Sequence, residues 1–124
     1  MVVKQIAGYT LDCKDIHAMA DFYNKLLGWE KVEYDSEDYA VLRSPQGWVF
    51  SLQRVDKFVQ PVWPWADGKQ QQMGHFDYCV DNVEEAVKLA TQLGAKKSEV
   101  QYFETSVVMF DPEGHTFCLT ADVF

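Results

Sequence analysis

Three residues of this sequence carry side chains that could do chemistry together. His75 and Asp77 stand two positions apart, and Cys118 lies in a short apolar run near the C-terminus. The imidazole and the carboxylate could act as a general base and its orienting group, and the cysteine could act as a nucleophile if the imidazole stabilised its thiolate. The same side chains offer nitrogen, oxygen and sulfur donors to a divalent metal ion. Acid–base, nucleophilic and metal-assisted chemistry are therefore all open at these residues.

Composition bounds the class of protein that must position these side chains. A chain of 124 residues with 48% hydrophobic residues can bury one continuous core, which excludes a disordered chain. The N-terminal stretch MVVKQIAGYT lacks the apolar core of a signal peptide, and no run of eighteen apolar residues occurs, so we expect a cytoplasmic protein without a membrane partner. The formal net charge of -8 opposes nucleic-acid phosphates and favours a neutral or cationic ligand.

The chain contains one structural unit twice. Residues 15–28 (DIHAMADFYNKLLG) and 81–94 (DNVEEAVKLATQLG) each place an aspartate and a glycine thirteen positions apart and end in Leu-Gly. Residues 44–52 (SPQGWVFSL) match residues 111–119 (DPEGHTFCL) at an offset of 67, against 66 for the first pair. Two nearly equal offsets over most of the chain indicate two copies of one supersecondary unit.

Each copy is predicted to form a strand, a helix and three further strands. Apolar residues recur at spacings of three and four in residues 15–28 and 81–94, which predicts amphipathic helices. Asn82 followed by Glu85 is an N-terminal helix signal, and a glycine ends each helical stretch. Proline and glycine in SPQG and DPEG predict turns between the last two strands of each copy. The strand-like runs are WEKVEYD, YAVLRS and WVFSLQRV in the first copy and AKKSEV, SVVMFD and TFCLTA in the second.

A tandem βαβββ repeat with these strings resembles the vicinal oxygen chelate superfamily, which includes glyoxalase I, extradiol dioxygenases and bleomycin-resistance proteins. LDCKDIHAMADFYNKLLGWE is similar to the first-module signature and GHFDYCVDNVEEAVKLATQLGA to the second, while HFDYCVD and DPEGHTFCL resemble the glyoxalase-like branch. The resemblance implies an α+β fold with a cupped mixed sheet and helices outside. Residues 1–124 would form a single domain of two modules, about 1–55 and 74–124, joined by a linker that contains tryptophan and proline.

The resemblance also implies which residues face a ligand cavity, because side chains alternate between the two faces of a strand. Phe50 and Phe117, each two residues before a leucine, would face the helices. The predicted ligand-binding residues are Thr10, Ser51, Gln53, His75 and Thr120 on the cavity side of the strands, together with Trp63 and Trp65 of the linker as a wall or lid.

The positions that hold a metal in this superfamily carry few metal ligands here. Metal-dependent members place one ligand on each of four strands, and the matching residues are Gly8, Ser51, His75 and Cys118. Only His75 has the ligand type of the family, and a catalytic zinc takes three protein ligands. The residues therefore predict a cavity without a metal cofactor. The disfavoured alternative is a divalent metal held by His75 with Asp77, or with Cys118 across the cavity.

Other residues receive a structural interpretation. His17 and His115 fall in a helical turn and a hairpin, where we expect them to face solvent, and Trp29 and Trp48 are expected in the core. The three cysteines, Cys13, Cys79 and Cys118, show no CxxC spacing and are expected to be small core or pocket residues. An acidic cluster typical of a solvated sheet edge comprises Glu30, Glu33, Asp35, Glu37 and Asp38.

The favoured hypothesis is a homodimeric glyoxalase-like protein that binds or sequesters a small organic molecule in a metal-free cavity. The alternative is a lyase, isomerase or dioxygenase-type enzyme of the same superfamily that uses His75, Asp77 and Cys118, with or without a divalent metal. A third hypothesis is an interaction module in which the tryptophans of the linker form a protein interface.

Overall fold

Two compact units make up the computed structural model, which describes residues 2–122. One unit ends at Phe58 and the other begins at Val59, so most of the predicted linker belongs to the second unit. The first unit contains strand β1 (Gly8–Cys13), helix α1 (Ile16–Leu27) and strands β2 (Val32–Ser36), β3 (Tyr39–Arg43) and β4 (Val49–Arg54). The second contains β5 (Phe76–Cys79), α2 (Val83–Gln92), β6 (Lys96–Lys97), β7 (Ser106–Phe110) and β8 (Thr116–Thr120). The predicted α+β fold with two βαβββ copies is confirmed.

Both sheets have the same topology. The strand order is β1-β4-β3-β2 in the first and β5-β8-β7-β6 in the second. In each unit the opening strand pairs in parallel with the last strand, and the last strand pairs in antiparallel with the one before it. The last strand of each copy therefore lies inside its sheet, where both neighbours fix its register.

The helices begin and end where the sequence places cap residues. Asp15 Oδ1 accepts a hydrogen bond of 3.0 Å from the N–H of Ala18, and Asn82 Oδ1 accepts one of 3.0 Å from the N–H of Glu85. Each bond satisfies an N–H group that has no partner within the helix. Gly28 ends α1 with a φ of 68°, a left-handed conformation that favours glycine.

The apolar faces of helix and sheet meet as the alternation predicted. In the first unit the ring of Tyr23 on α1 lies 4.8 Å from the ring of Phe50 on β4, and both residues are buried. In the second unit Phe117 and Leu119 are buried on β8, which contacts α2. The predicted orientation of Phe50 toward its helix is confirmed. Within residues 2–122, neither helix is long and apolar enough to cross a bilayer.

Three details differ from or sharpen the predictions. Strand β6 is shorter than the predicted AKKSEV run, because the Oγ of Ser98 accepts a hydrogen bond from the N–H of Val100 and turns the chain there. Trp29 and Trp48 are only partly buried and pack edge to face with ring centres 5.4 Å apart. The acidic cluster does follow an edge strand, β2, from which Glu33 pairs with Arg43 on β3.

Candidate functional site

The second unit brings the three chemically competent residues together. Strands β5 and β8 pair in parallel with Asp77 directly opposite Cys118. His75 comes immediately before β5 and, two positions from Asp77, shares its face of the sheet. One ligand atom from each of the three residues lies within 4.8 Å of the others. Cys118 is thus beside Asp77 on the neighbouring strand, not across a cavity as predicted.

Gln72 ties the segment before β5 to the beginning of β8. Its Oε1 accepts a hydrogen bond of 3.0 Å from the N–H of Thr116, and its Nε2 donates to the carbonyl oxygen of Gly74. The contact therefore holds the approach to His75 against the strand that carries Cys118. The sequence prediction did not include Gln72, since nothing in a run of three glutamines distinguishes the one that makes this contact.

The turn before β8 is built around a buried carboxylate. Asp111 Oδ1 accepts hydrogen bonds of 3.0 Å from the N–H groups of Glu113 and His115, and Asp111 Oδ2 lies 2.7 Å from His115 Nδ1. The side chains of His115 and Asp111 are 5% and 0% exposed. The prediction that His115 faces solvent is therefore wrong, because its imidazole is needed inside as a partner for the carboxylate. The repeat held a signal for this turn. Ser44, which matches Asp111 in the first copy, likewise accepts a hydrogen bond from the N–H of Trp48, which matches His115.

Burial differs across the three site residues and sets their reactivity. The Nε2 of His75 lies 3.3 Å from Asp77 Oδ1, and these side chains are 40% and 41% exposed. Cys118 is 5% exposed, and burial together with the charge of Asp77 raises the pKa of its thiol from 9.0 to about 11. At neutral pH the free thiol is therefore protonated and a poor nucleophile. A metal ion would reverse this, because a coordinating thiol is deprotonated outright.

Alkylation of Cys118 should report the raised pKa directly. In chelator-treated protein, we expect its rate of reaction with iodoacetamide to rise about tenfold per pH unit between about pH 8 and pH 10, because the thiolate is the reacting species. Peptide mass spectrometry would separate Cys118 from Cys79, which is exposed and serves as the accessible reference thiol. A rate that levels off below pH 9 would instead show a stabilised thiolate, as the nucleophile hypothesis requires.

The predicted ligand-binding residues of the first unit lie on two paired strands, the edge strand β1 and its neighbour β4. Thr10 on β1 is directly opposite Ser51 on β4, and Ser51 is buried. Gln53 is exposed and donates a hydrogen bond of 2.7 Å from its Nε2 to Asp12 Oδ1 on the adjacent strand. Gln53 is thus oriented by a carboxylate that the sequence prediction did not include.

The remaining predicted residues lie in the second unit in different surroundings. Thr120 is buried, and its hydroxyl accepts a hydrogen bond from the N–H of Asp122 and donates to the carbonyl of Thr105. The ring centre of Trp63 lies 5.5 Å from that of Tyr102 in an edge-on contact, whereas Trp65 is exposed. Thr120 thus has its hydroxyl engaged by the main chain, while the two tryptophans keep faces for other contacts.

Two βαβββ units with identical strand order, and candidate ligands at the opening and last strands of the second, define a protein of the vicinal oxygen chelate superfamily. The profile of the glyoxalase-like domain matches residues 8–120, and the chain belongs to this family. A search of curated proteins found no match to the sequence.

Solved structures share the fold at low sequence identity. The fosfomycin resistance protein FosX of Listeria monocytogenes, complexed with Mn(II) and sulfate, is 16% identical with a TM-score of 0.74, over 98% of this chain and 93% of that chain. A glyoxalase/bleomycin resistance/dioxygenase family enzyme of Burkholderia phytofirmans is 17% identical with a TM-score of 0.66, over 91% and 94%. A possible glyoxalase of Bacillus cereus is 17% identical with a TM-score of 0.68, over 95% and 99%.

The prediction that the chain has no metal cofactor is wrong. It rested on carrying ligands over position by position, which left His75 as the one familiar donor. The strand pairing instead places Asp77 and Cys118 next to each other, and the donor atoms of His75, Asp77 and Cys118 lie within 4.8 Å of one another. Three is also the number of ligands that a catalytic zinc takes from the protein. FosX of Listeria monocytogenes, which has the same fold, was solved with Mn(II). Imidazole, carboxylate and thiolate together form a donor set that fits a divalent metal.

Proposed function

We propose that the chain is a glyoxalase-like protein that holds a divalent metal ion through His75, Asp77 and Cys118 and binds a small organic molecule at that ion. The observation that carries the proposal is the approach of the three donor atoms to within 4.8 Å of one another. An imidazole nitrogen, a carboxylate oxygen and a cysteine sulfur at this separation can coordinate one divalent ion after small side-chain movements.

Three protein donors leave room for a ligand. Catalytic metal sites keep an open coordination position, which a water molecule or substrate fills. The partial exposure of His75 and Asp77 leaves the cluster accessible from one side, while Cys118 is held rigidly from within the sheet. A bound divalent ion would supply Lewis acidity, polarising an oxygen atom of the ligand. The formal net charge of -8 on the chain supports a ligand whose own net charge is neutral or positive.

The chain's own residues would orient the ligand around this centre. Trp63, packed edge-on against Tyr102 in the same unit, supports an aromatic wall for a flat or cationic molecule. Separately, within the first unit taken by itself, Thr10, Ser51 and Gln53 remain proposed contacts for a small organic molecule. Pairing of two chains into a homodimer also remains a proposal, which sedimentation of the purified protein would test.

A metal measurement with matched histidine variants tests the proposed site. Untagged protein is expected to bind about one divalent ion per chain, and His75→Ala should weaken its binding at least about 100-fold because a direct ligand is lost. His17→Ala is the control, since His17 is an exposed histidine of the first unit whose ring stacks on Tyr34. Isothermal titration on both variants measures the affinity. Equal metal affinity in wild type and His75→Ala would refute the proposal.

The second candidate function is catalysis. The 3.3 Å separation of His75 Nε2 and Asp77 Oδ1 supports it, because an imidazole oriented by a carboxylate is a common general base. A lyase, isomerase or dioxygenase-type reaction would then occur at this cluster. Any turnover found with candidate substrates should be lost in His75→Ala and kept in His17→Ala. Turnover that survives in His75→Ala would eliminate an enzyme built on this residue.

A further inference from the structure

We infer that the site in the second unit selects borderline-to-soft divalent ions such as Zn²⁺ and Co²⁺ over Mn²⁺, because Cys118 contributes a thiolate sulfur to the metal. The inference rests on the proposed function, in which His75, Asp77 and Cys118 hold the ion. It goes further by assigning the class of metal and making Cys118 the residue that decides it.

The register between β5 and β8 places the sulfur of Cys118 beside the carboxylate of Asp77. Asp77 and Cys118 are direct partners in the parallel pair of β5 and β8, so their side chains project side by side from the same face. Ligand atoms of a tetrahedral zinc site stand about 3.3–3.8 Å apart, given metal–ligand bonds of about 2.0–2.3 Å. The donors here lie within 4.8 Å, so small side-chain rotations suffice to close the set.

Burial makes the sulfur a fixed ligand. Cys118 is 5% exposed and lies between Phe117 and Leu119, each 1% exposed, on the strand that has a neighbour on both sides. Close packing on both sides restricts its rotamers, and a rigid donor loses little entropy on binding. The exposed imidazole and carboxylate of His75 and Asp77 can then adjust around it.

The chemistry of the donors decides the class of ion. Thiolate is a soft ligand that suits Zn²⁺ and similar ions, whereas Mn²⁺ prefers carboxylate, carbonyl and water oxygens. FosX of Listeria monocytogenes was solved with Mn(II), so the fold itself does not exclude a harder ion. A sulfur at Cys118 favours the softer class in this chain.

The repeat supplies a conservative substitution with which to test the role of sulfur. Ser51 stands in SPQGWVFSL where Cys118 stands in DPEGHTFCL, and Ser51 is 2% exposed within its own sheet. A buried serine is therefore accommodated at the equivalent position of the other copy, and Cys118→Ser is expected to fold. Cys79→Ser is the matched control, because Cys79 is an exposed cysteine at the end of β5.

The experiment measures Zn²⁺ and Mn²⁺ affinities by competition titration and records the absorption spectrum of the Co²⁺ adduct. Wild type and Cys79→Ser should show the near-ultraviolet charge-transfer band of a cobalt thiolate. In Cys118→Ser the band should vanish and Zn²⁺ affinity should fall at least about tenfold relative to Mn²⁺ affinity. Metal binding without the band, or an unchanged Zn²⁺ to Mn²⁺ ratio in Cys118→Ser, would overturn this inference and leave the proposed function standing. If wild type binds none of the three ions, the proposed function and this inference fall together.

Discussion

Replacing Asp111 by alanine is expected to lower the free energy of unfolding by about 3–5 kcal/mol, because it removes one partner of a buried polar pair. The carboxylate of Asp111 accepts from two main-chain N–H groups and from His115 Nδ1. A carboxylate only accepts, so Nδ1 carries the proton. Truncation would leave that N–H and the main-chain donors buried without their acceptor.

The size of this effect follows from where the turn lies. Asp111 and His115 join β7 to β8, and their main chains also bond, with the N–H of Asp111 donating to the carbonyl of His115 over 2.9 Å. A loosened turn would release the first residue of β8 from its partners. We therefore expect the less stable protein also to be less ordered at Cys118, which comes two residues after the start of β8.

Urea unfolding of three variants would check this expectation. Asp111→Asn keeps the shape of the side chain and removes its charge. Ser44→Ala is the matched control, because the hydroxyl of Ser44 accepts one neutral hydrogen bond at the equivalent turn. The control should cost about 1 kcal/mol, the usual worth of one such bond. If Asp111→Ala is no more destabilised than Ser44→Ala, the buried pair does not hold the turn.

The fold was largely predictable because its signals are local and occur twice. The cap residues Asp15 and Asn82, the apolar stripes of the helices and the SPQG and DPEG turns each act within a few residues. Because these signals recur at a nearly constant offset, the order of elements inferred for the first copy could be applied to the second. The alternation that turns Phe50 toward its helix followed once strand positions were known.

The site was less predictable because it depends on contacts between distant residues. Asp77 and Cys118 are far apart in sequence, and their pairing follows from the parallel register of β5 and β8, which no local pattern specifies. The burial of His115 was missed for a different reason, because its partner Asp111 is only four residues away and a histidine in a hairpin usually faces solvent. Position-by-position comparison with a family could not anticipate Asp77, which stands at none of the four positions where that family places its ligands.

Gly8 lies where the close approach of β4 leaves no room for a side chain on β1. This residue pairs with Val49 on β4, and a Cβ atom at Gly8 would lie 2.5 Å from both the carbonyl oxygen and Cγ2 of Val49. Contacts this short do not occur between real atoms of these types, so any side chain would force the two strands apart. Position 8 thus carries no metal-binding side chain, and the close approach of Val49 leaves no room for one.

Gly8→Ala is accordingly expected to destabilise the protein by about 1–3 kcal/mol, the usual cost of forcing extra atoms into a closely packed position. Gly74→Ala is the control, because a Cβ atom there meets no heavy atom within 4 Å, and its cost should stay within about 0.5 kcal/mol. Urea unfolding of both variants measures the difference. If Gly8→Ala proves as stable as Gly74→Ala, the pairing of β1 with β4 yields to a side chain, and the close approach of Val49 does not constrain this position.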